Sequence, residues 1–280
     1  MSNITASRST LSEAARRRML ALPGEPMFYA RWDRAVFIHY AADAATLQRE
    51  IPFELDLRDG RAFVSIVAFT LSRMRPRIGG RIGEWFFTPI ATHEFLNVRT
   101  YVSHCGEPGI YFLAEWLSNP LSVHLGPRTF GLPYRFGRLR YEHLSNGGAL
   151  RGTVEAPGGE LAYEGEICSS DFAASEPESL TEFVLERYTA FTERRNRARF
   201  FRVWHLPWEQ APAEIDLTAG TILAGTGAWW KTAEYIGANY SPGAEVWMGR
   251  PHRIRENRNS KTSQAARNSA SRVKNICTVV

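Results

Sequence analysis

At 280 residues with a formal net charge of +5, the chain can bury a full core without covalent staples. Its three cysteines (Cys105, Cys168, Cys277) are odd in number, scattered and outside any Cys-x-x-Cys pattern, which argues against a disulfide framework and against a structural zinc site. Eight Lys/Arg against one acid, Glu256, give +7 from Arg250 onward and leave −2 for residues 1–249, so the basic charge belongs to a tail and not to a nucleic-acid-binding face.

No apolar run approaches the ~18–20 residues of a membrane span. After Arg16-Arg17-Arg18 only Met19-Leu20-Ala21-Leu22 precede Pro23-Gly24, too little for a signal peptide. A reducing cytoplasm is the expected setting.

In chain order, the capping box Thr10-Leu11-Ser12-Glu13 predicts a short helix through Leu22, within a peripheral arm of residues 1–24. Residues 35–40 read as a strand. Asp43 then caps a helix that ends before Pro52. Asp59-Gly60 turns into a strand over Arg61–Leu71, and Arg73 to Gly83 reads as a mobile Gly/Arg-rich connection.

His93–Ser103 alternates most clearly. Glu94, Leu96, Val98, Thr100 and Val102 share one face, and His93, Phe95, Asn97, Arg99, Tyr101 and Ser103 share the other. Gly106-Glu107-Pro108-Gly109 turns the chain into a strand over Ile110–Leu117, followed by a short helix around Pro120–Leu125. Strands are expected near 136–143, 149–155 and 160–168. Ser179-Leu180-Thr181-Glu182 predicts a second capped helix to about Thr192. Further strands are expected near 199–205, 221–225 and 244–249. Residues 253–280 are polar and nearly free of aromatics, the pattern of a disordered basic tail. Many short strands with a few peripheral helices give an α+β domain dominated by antiparallel sheet.

Arg99 stands mid-strand among apolar neighbours, where an unpaired charge is expensive. It reads either as a clamp for a carboxylate or similar anion, or as one half of a buried ion pair with Glu94, Glu115 or another acid. Strict alternation sets Glu94 and Arg99 on opposite faces. Glu94 is a candidate general acid or base, and Asn97, on the Arg99 face, could orient a ligand carbonyl. Tyr101 reads as core. The seven histidines show no metal-ligand spacing, and His39 and His205 read as hydrogen-bonded core residues. No Gly-x-Ser-x-Gly elbow supports hydrolysis, and Gly225-Thr226-Gly227 lacks the third glycine of a dinucleotide loop. No metal and no cofactor is expected. Only three basic residues are lysines, and Lys231 alone falls inside the expected domain.

The chain resembles the YqjF-like group of uncharacterised bacterial proteins, within the acetoacetate decarboxylase-like superfamily. The resemblance rests on Glu94-x-x-Asn97-Val98-Arg99-Thr100-Tyr101-Val102, Pro108-Gly109-Ile110-Tyr111-Phe112, Leu132-Pro133-Tyr134, Trp204-His205-x-Pro207-Trp208 and Ser241-Pro242-Gly243, and covers about residues 25–252. It implies one mixed-sheet domain with a cone-like or barrel-like core around a ligand cavity. The decarboxylases look like Gly-x-Pro-Lys-Lys at the loop reading Gly131-Leu132-Pro133-Tyr134-Arg135 here, and their first lysine forms a Schiff base. A phenol cannot form an imine, so that chemistry is excluded at Tyr134.

The resemblance implies that Tyr134 projects into the cavity, as a hydrogen-bond donor, as a base, or as a filler of the space the lysine left. Arg135 keeps the second cation as an anion holder, against a surface salt bridge. A Schiff base moved to Lys231 is the minor alternative. The implied function is binding of a small anionic or carbonyl-bearing molecule, with Arg99, Arg135 and Asn97 as ligand-binding residues and Tyr134 and Glu94 as catalytic candidates for lysine-independent acid–base chemistry. A non-catalytic binding or sensor module is the alternative, so turnover stays open. The expected partner is a small molecule; a membrane and nucleic acid are not expected, and a homo-oligomer is left open.

Overall fold

The computed structural model describes residues 2–144 and 148–254. Of the disordered tail expected over residues 253–280, Arg253 and Ile254 are instead ordered, Arg253 pairing with Arg199 and the Ile254 amide donating to the Ala198 carbonyl at 3.0 Å. The rest of it, and the Asn146-Gly147 turn, lie outside the described residues. The structure is mostly sheet, with α1 (Ser2–Leu20), α2 (Ala44–Gln48), α3 (Gly80–Phe87), α4 (Pro120–Thr129) and α5 (Leu180–Leu185) at its periphery.

The strands are β1 (Phe28–Ala42), β2 (Glu54–Leu55), β3 (Ala62–Pro76), β4 (His93–His104), β5 (Glu107–Leu117), β6 (Tyr134–Phe136) and β7 (Arg138–His143). They continue as β8 (Ala149–Ala156), β9 (Gly159–Ile167), β10 (Thr189–Glu193), β11 (Ala198–His205), β12 (Ala211–Ala219), β13 (Glu234–Met248) and β14 (His252–Arg253). Pairing is antiparallel except that β5 runs parallel to both β6 and β10.

β13 pairs with β1 along one edge and with β11 along the other. That double pairing closes the ring β1-β3-β4-β5-β10-β11-β13 into a barrel. Closure removes the free strand edges that an open sheet of this size would expose. From β13 the sheet runs on through β12, β9, β8 and β7 and folds over the outside of the barrel, where the Tyr141 hydroxyl of β7 donates to the Phe95 carbonyl of β4 at 2.9 Å.

Each barrel strand therefore has two apolar faces, and the period-2 alternation sorts its residues between two cores. The outer core joins Ile38, Ile66, Leu96, Val98 and Trp116 of the barrel to Leu150, Val154, Leu161 and Ile215 of the overlying sheet. The inner core holds Phe37, Val67, Phe69, Phe95, Tyr101, Leu117, Phe201 and Trp208. β4 shows the sorting in one strand, because its two sequence faces become the inside and the outside of the barrel wall.

Several expectations need correction. α1 starts at Ser2, well before the Thr10–Glu13 capping box, and its second half is anchored. Met19 is fully buried, the Ser12 hydroxyl donates to the His205 carbonyl at 2.7 Å, and Arg16 lies over Trp204 and Trp247. The Arg73–Gly83 connection is no loop. β3 continues to Pro76 and α3 follows, with Ile82, Trp85 and Phe86 at helical spacing and exposed.

Ser179 does cap α5, accepting from the Glu182 amide at 3.1 Å, but the helix stops at Leu185. The β-favouring stretch Thr189-Ala190-Phe191-Thr192 pairs instead with β5 and β11, so tertiary pairing overrides the local helix signal. Residues 221–226 form a 3₁₀ turn, not a strand, and β12 was not anticipated. β1 and β13 start well before the expected 35–40 and 244–249. Asp43 caps α2 through the Thr46 amide as expected, and the helix expected around Pro120–Leu125 is α4, which Asn119, not singled out in the sequence, caps through the Ser122 amide.

Candidate functional site

The barrel encloses a cavity of about 270 Å³, small beside the ~300–1,000 Å³ typical of drug-sized sites. Its rim is formed by α4, by the end of α3 and by the segment after it, through Leu125, Gly126, Thr129, Phe87 and Ile90. Its walls are largely apolar, including Phe28, Trp32, Phe95, Phe112, Phe130 and Trp208. Into this lining the sequence places a few polar groups. His93, Asn97 and Arg99 come from the inner face of β4, Glu115 from β5, and Tyr134 from β6.

Strand register sets those groups side by side. Asn97 pairs with Glu115 across β4 and β5, and Glu115 pairs with Tyr134 across β5 and β6. Neighbouring strands lie about 4.8 Å apart, so the three side chains form one polar rung on the inner wall. Gly131, at φ +79°, takes the left-handed turn that delivers Leu132-Pro133-Tyr134 to the edge of β5. The Tyr134 ring lies against Gly126 of α4 so closely that a Cβ there would overlap it, and it meets Phe95 edge-on at 5.7 Å.

These groups are poorly partnered. Asn97 Oδ1, Glu115 Oε2 and Arg99 Nε are buried without a hydrogen bond, each costing ~1–3 kcal/mol. Arg99 spends one donor, Nη2, on the Val184 carbonyl at 3.1 Å, and its guanidinium lies 5.8 Å from the Phe37 ring centre. Among the described residues no carboxylate pairs with it, so the ion-pair reading with Glu94 or Glu115 fails. Both ring nitrogens of His93 are likewise buried without a hydrogen bond, whereas behind Arg99 a hydrogen-bond chain ties off His39, Ser65 and Tyr101. His39 bonds Ser65 at 2.7 Å and Asn239 at 3.1 Å, Ser65 bonds Tyr101, and the Tyr101 hydroxyl donates to the Val184 carbonyl. Both His39 and Tyr101 are core residues, as expected.

Burial dominates the protonation states. It raises the Glu115 carboxyl well above its usual range. Burial and then the neighbouring Glu115 charge raise the Tyr134 phenol well above 10.0, so Tyr134 is a donor and not a base. Burial lowers His93 to about 4, with Glu94 opposing, and lowers His205, which also lines the cavity, to about 4; both rings are neutral at pH 7.

Two of the candidate residues lie elsewhere. Glu94 is on the outer face of β4, where its Oε2 accepts from the Ser118 hydroxyl at 2.7 Å. Arg135 is exposed and stacks over the Trp116 ring at 5.4 Å. Alternation explains both. Each is one residue from an inward-facing neighbour, Phe95 or Tyr134, and so points the other way. Lys231 is exposed on a 3₁₀ turn and does not line the cavity. Glu115, considered in the sequence only as an ion-pair partner for Arg99, is the residue that reading undervalued; a lone acid within Phe112-Leu113-Ala114-Glu115-Trp116-Leu117 was its signal. Among the described residues no cluster of His, Cys, Asp or Glu could hold a metal ion, and no helix is long and apolar enough to cross a membrane.

Comparison with known proteins gives a consistent frame for this geometry. The model of the DUF2071 family, "Uncharacterized conserved protein (COG2071)", matches residues 29–244. The uncharacterized protein YqjF of Bacillus subtilis (strain 168) is 30% identical over 223 residues, covering 76% of this chain and 87% of its own. Among solved structures, an acetoacetate decarboxylase-like enzyme from Sphingomonas wittichii RW1 superposes with a TM-score of 0.59 at 12% identity, covering 83% of this chain and 94% of that one. The enduracididine biosynthesis enzyme MppR, complexed with pyruvate, gives 0.57 at 13% identity, covering 83% and 91%. At such identities these structures share the fold.

Proposed function

The chain belongs to the DUF2071 family and has the acetoacetate decarboxylase-like fold, and on that premise we propose that it binds a small, mostly apolar molecule carrying a carbonyl or carboxylate in the barrel cavity. The observation that carries this reading is the set of unpartnered polar atoms on Asn97, Arg99 and Glu115 facing an otherwise apolar cavity. Such atoms destabilise a fold unless water or a ligand satisfies them, and in an apolar cavity a ligand that brings its own oxygen does so while covering the walls. Arg99 has donors to spare for a negative or carbonyl oxygen, and Tyr134 offers a hydroxyl beside Glu115. Asn97 completes the binding set, in place of the outward-facing Arg135 and Glu94. With no lysine on the cavity wall, Schiff-base decarboxylation is not the chemistry of this cavity.

The expected domain, residues 25–252, holds every cavity residue, with α1 packed on β11 as an anchored arm. The same reading keeps the protein in the cytoplasm with a small molecule as its partner. A second reading, a binding or sensor module without turnover, is favoured by the absent lysine.

Thermal stabilisation of the pure protein by a panel of apolar ketones, short carboxylates and keto acids, including the pyruvate that MppR binds, tests the proposal. A ligand at ~100 times its dissociation constant adds about 2.7 kcal/mol of stability. Arg99→Ala should remove the shift and Tyr134→Phe should reduce it. Variants that respond as wild type does would overturn this site.

A further inference from the structure

Resting on the ligand-binding reading above, we propose that the cavity is a proton-transfer site in which Glu115 takes an α-proton from a small apolar ketone while the Tyr134 hydroxyl hydrogen-bonds its carbonyl oxygen. The register places Glu115 and Tyr134 on adjacent strands, with side chains on the same inner wall. One ketone can then present its oxygen to the phenol and its α-carbon to the carboxyl, because those atoms are separated by a single carbon. The Glu115 carboxyl is free for this role: Oε2 is buried with no hydrogen bond, and among the described residues no cation pairs with it. An acid retained only for structure would be tied to a donor, as Glu25 is to the Arg250 amide and Glu186 is to the Trp208 amide and the Tyr188 hydroxyl.

The step balances without any other reagent. The α C–H bond breaks, its proton passes to the Glu115 carboxylate, and its electron pair forms the carbon–carbon double bond of an enolate. The enolate oxygen accepts from Tyr134. Return of the proton restores the ketone, so in heavy water the net result is exchange of hydrogen for deuterium. Apolar walls at Phe95, Phe112 and Leu132 strengthen the hydrogen bond to the enolate oxygen by keeping water away. They also select the substrate class. Arg99 on the same wall disfavours an ammonium ligand that Glu115 alone would attract.

Burial raises the basicity of Glu115 towards what proton abstraction near neutral pH requires. The groups that share its cavity are Tyr134 from β6, neutral Asn97, neutral His93 and cationic Arg99 from β4, neutral His205 from β11, and Arg187 beyond α5. Behind the cavity Glu186, which accepts from the Trp208 amide, is raised by burial to about 7, so the Glu115 limb is read as the difference between the pH profiles of wild type and Glu115→Gln, which share every other group.

Phenylacetone is the probe, with loss of its methylene proton signal in heavy water followed by NMR and its binding followed by thermal shift. Wild type should bind it and exchange the methylene protons faster than buffer, increasingly so as pH rises. Glu115→Gln should still bind but lose about 100-fold or more in exchange, and Tyr134→Phe should lose on the order of 100-fold. If Glu115→Gln fails to fold, Glu115→Asp keeps the charge on a shorter arm and should exchange at least ~10-fold more slowly than wild type. Binding without exchange in wild type would overturn the proton-transfer site and leave the binding reading intact. Wild-type exchange in the Glu115 variants would overturn the assigned base. Neither binding nor exchange would overturn both readings.

Discussion

The two faces of the barrel wall are built from the same strands and solve opposite problems. On the outer face, Leu96, Val98 and Trp116 are packed under a second sheet, and the polar residues there are provided for: Glu94 accepts from Ser118 and Arg135 stacks on Trp116. On the inner face, Asn97, Arg99 and Glu115 keep buried polar atoms without partners beside a cavity. Residues one step apart in sequence thus differ in kind. The outer face contributes stability, and the inner face gives some of it up to hold a site ready for a ligand.

Adjacent substitutions should break this contrast with opposite signs. Trp116→Ala, a large side chain removed from the outer core, should cost about 3–5 kcal/mol in denaturant unfolding. Its neighbour Glu115→Leu should raise stability by about 1–3 kcal/mol, because it removes an unpartnered buried carboxyl. A loss at Glu115 comparable to that at Trp116 would show that the carboxyl is structural.

The pH dependence sharpens the contrast. Folding raises the Glu115 pKa above its ordinary 4.5, so the folded state holds that proton more tightly than the unfolded chain. This contribution to stability is whole below about pH 4.5 and is lost as pH rises through the folded value. Unfolding measured over a pH series should therefore show Glu115→Gln gaining on wild type as pH rises above 4.5. The buried histidines act the other way. His39, lowered to about 3, and His143, lowered to about 4, are neutral when folded, and each lowers stability as pH falls below 6.5. Both proteins keep these groups, so the difference between them isolates Glu115.

Smaller effects locate the site. Gly126→Ala gains up to ~1 kcal/mol of helix propensity in α4, but its Cβ must displace the Tyr134 ring. Ligand-induced thermal shift should fall while the unliganded melting temperature changes little. Last come Glu94→Gln and Arg135→Ala, which should change stability by no more than ~1 kcal/mol and leave the ligand response intact. A lost response in either would move the site to the outer face.

Much of the barrel was legible because β4 is amphipathic in a special sense: both of its faces are sorted, and the sorting is visible as alternation. The helix caps at Asp43 and Ser179 follow from short-range hydrogen bonding that needs no tertiary context. Other elements depended on distant partners. Thr189–Thr192 became strand β10 because β5 and β11 offered ladders on both sides, and α3 formed where glycine and arginine suggested a loop.

The site divided along the same line. The sequence by itself determined that Tyr134 cannot form an imine, that Arg99 stands in an apolar strand, and that Asn97 shares its face, since chemistry and a period of two suffice for each. Only the tertiary structure decided that Glu115 belongs beside Tyr134, and which face of each strand turns to the cavity, leaving Glu94 and Arg135 outside it. The neighbour relation of Glu115 and Tyr134, and its register, is set by the parallel pairing of β6 with β5. That long-range pairing leaves no periodicity in the chain, yet it brings a carboxyl and a phenol from separate segments onto one wall.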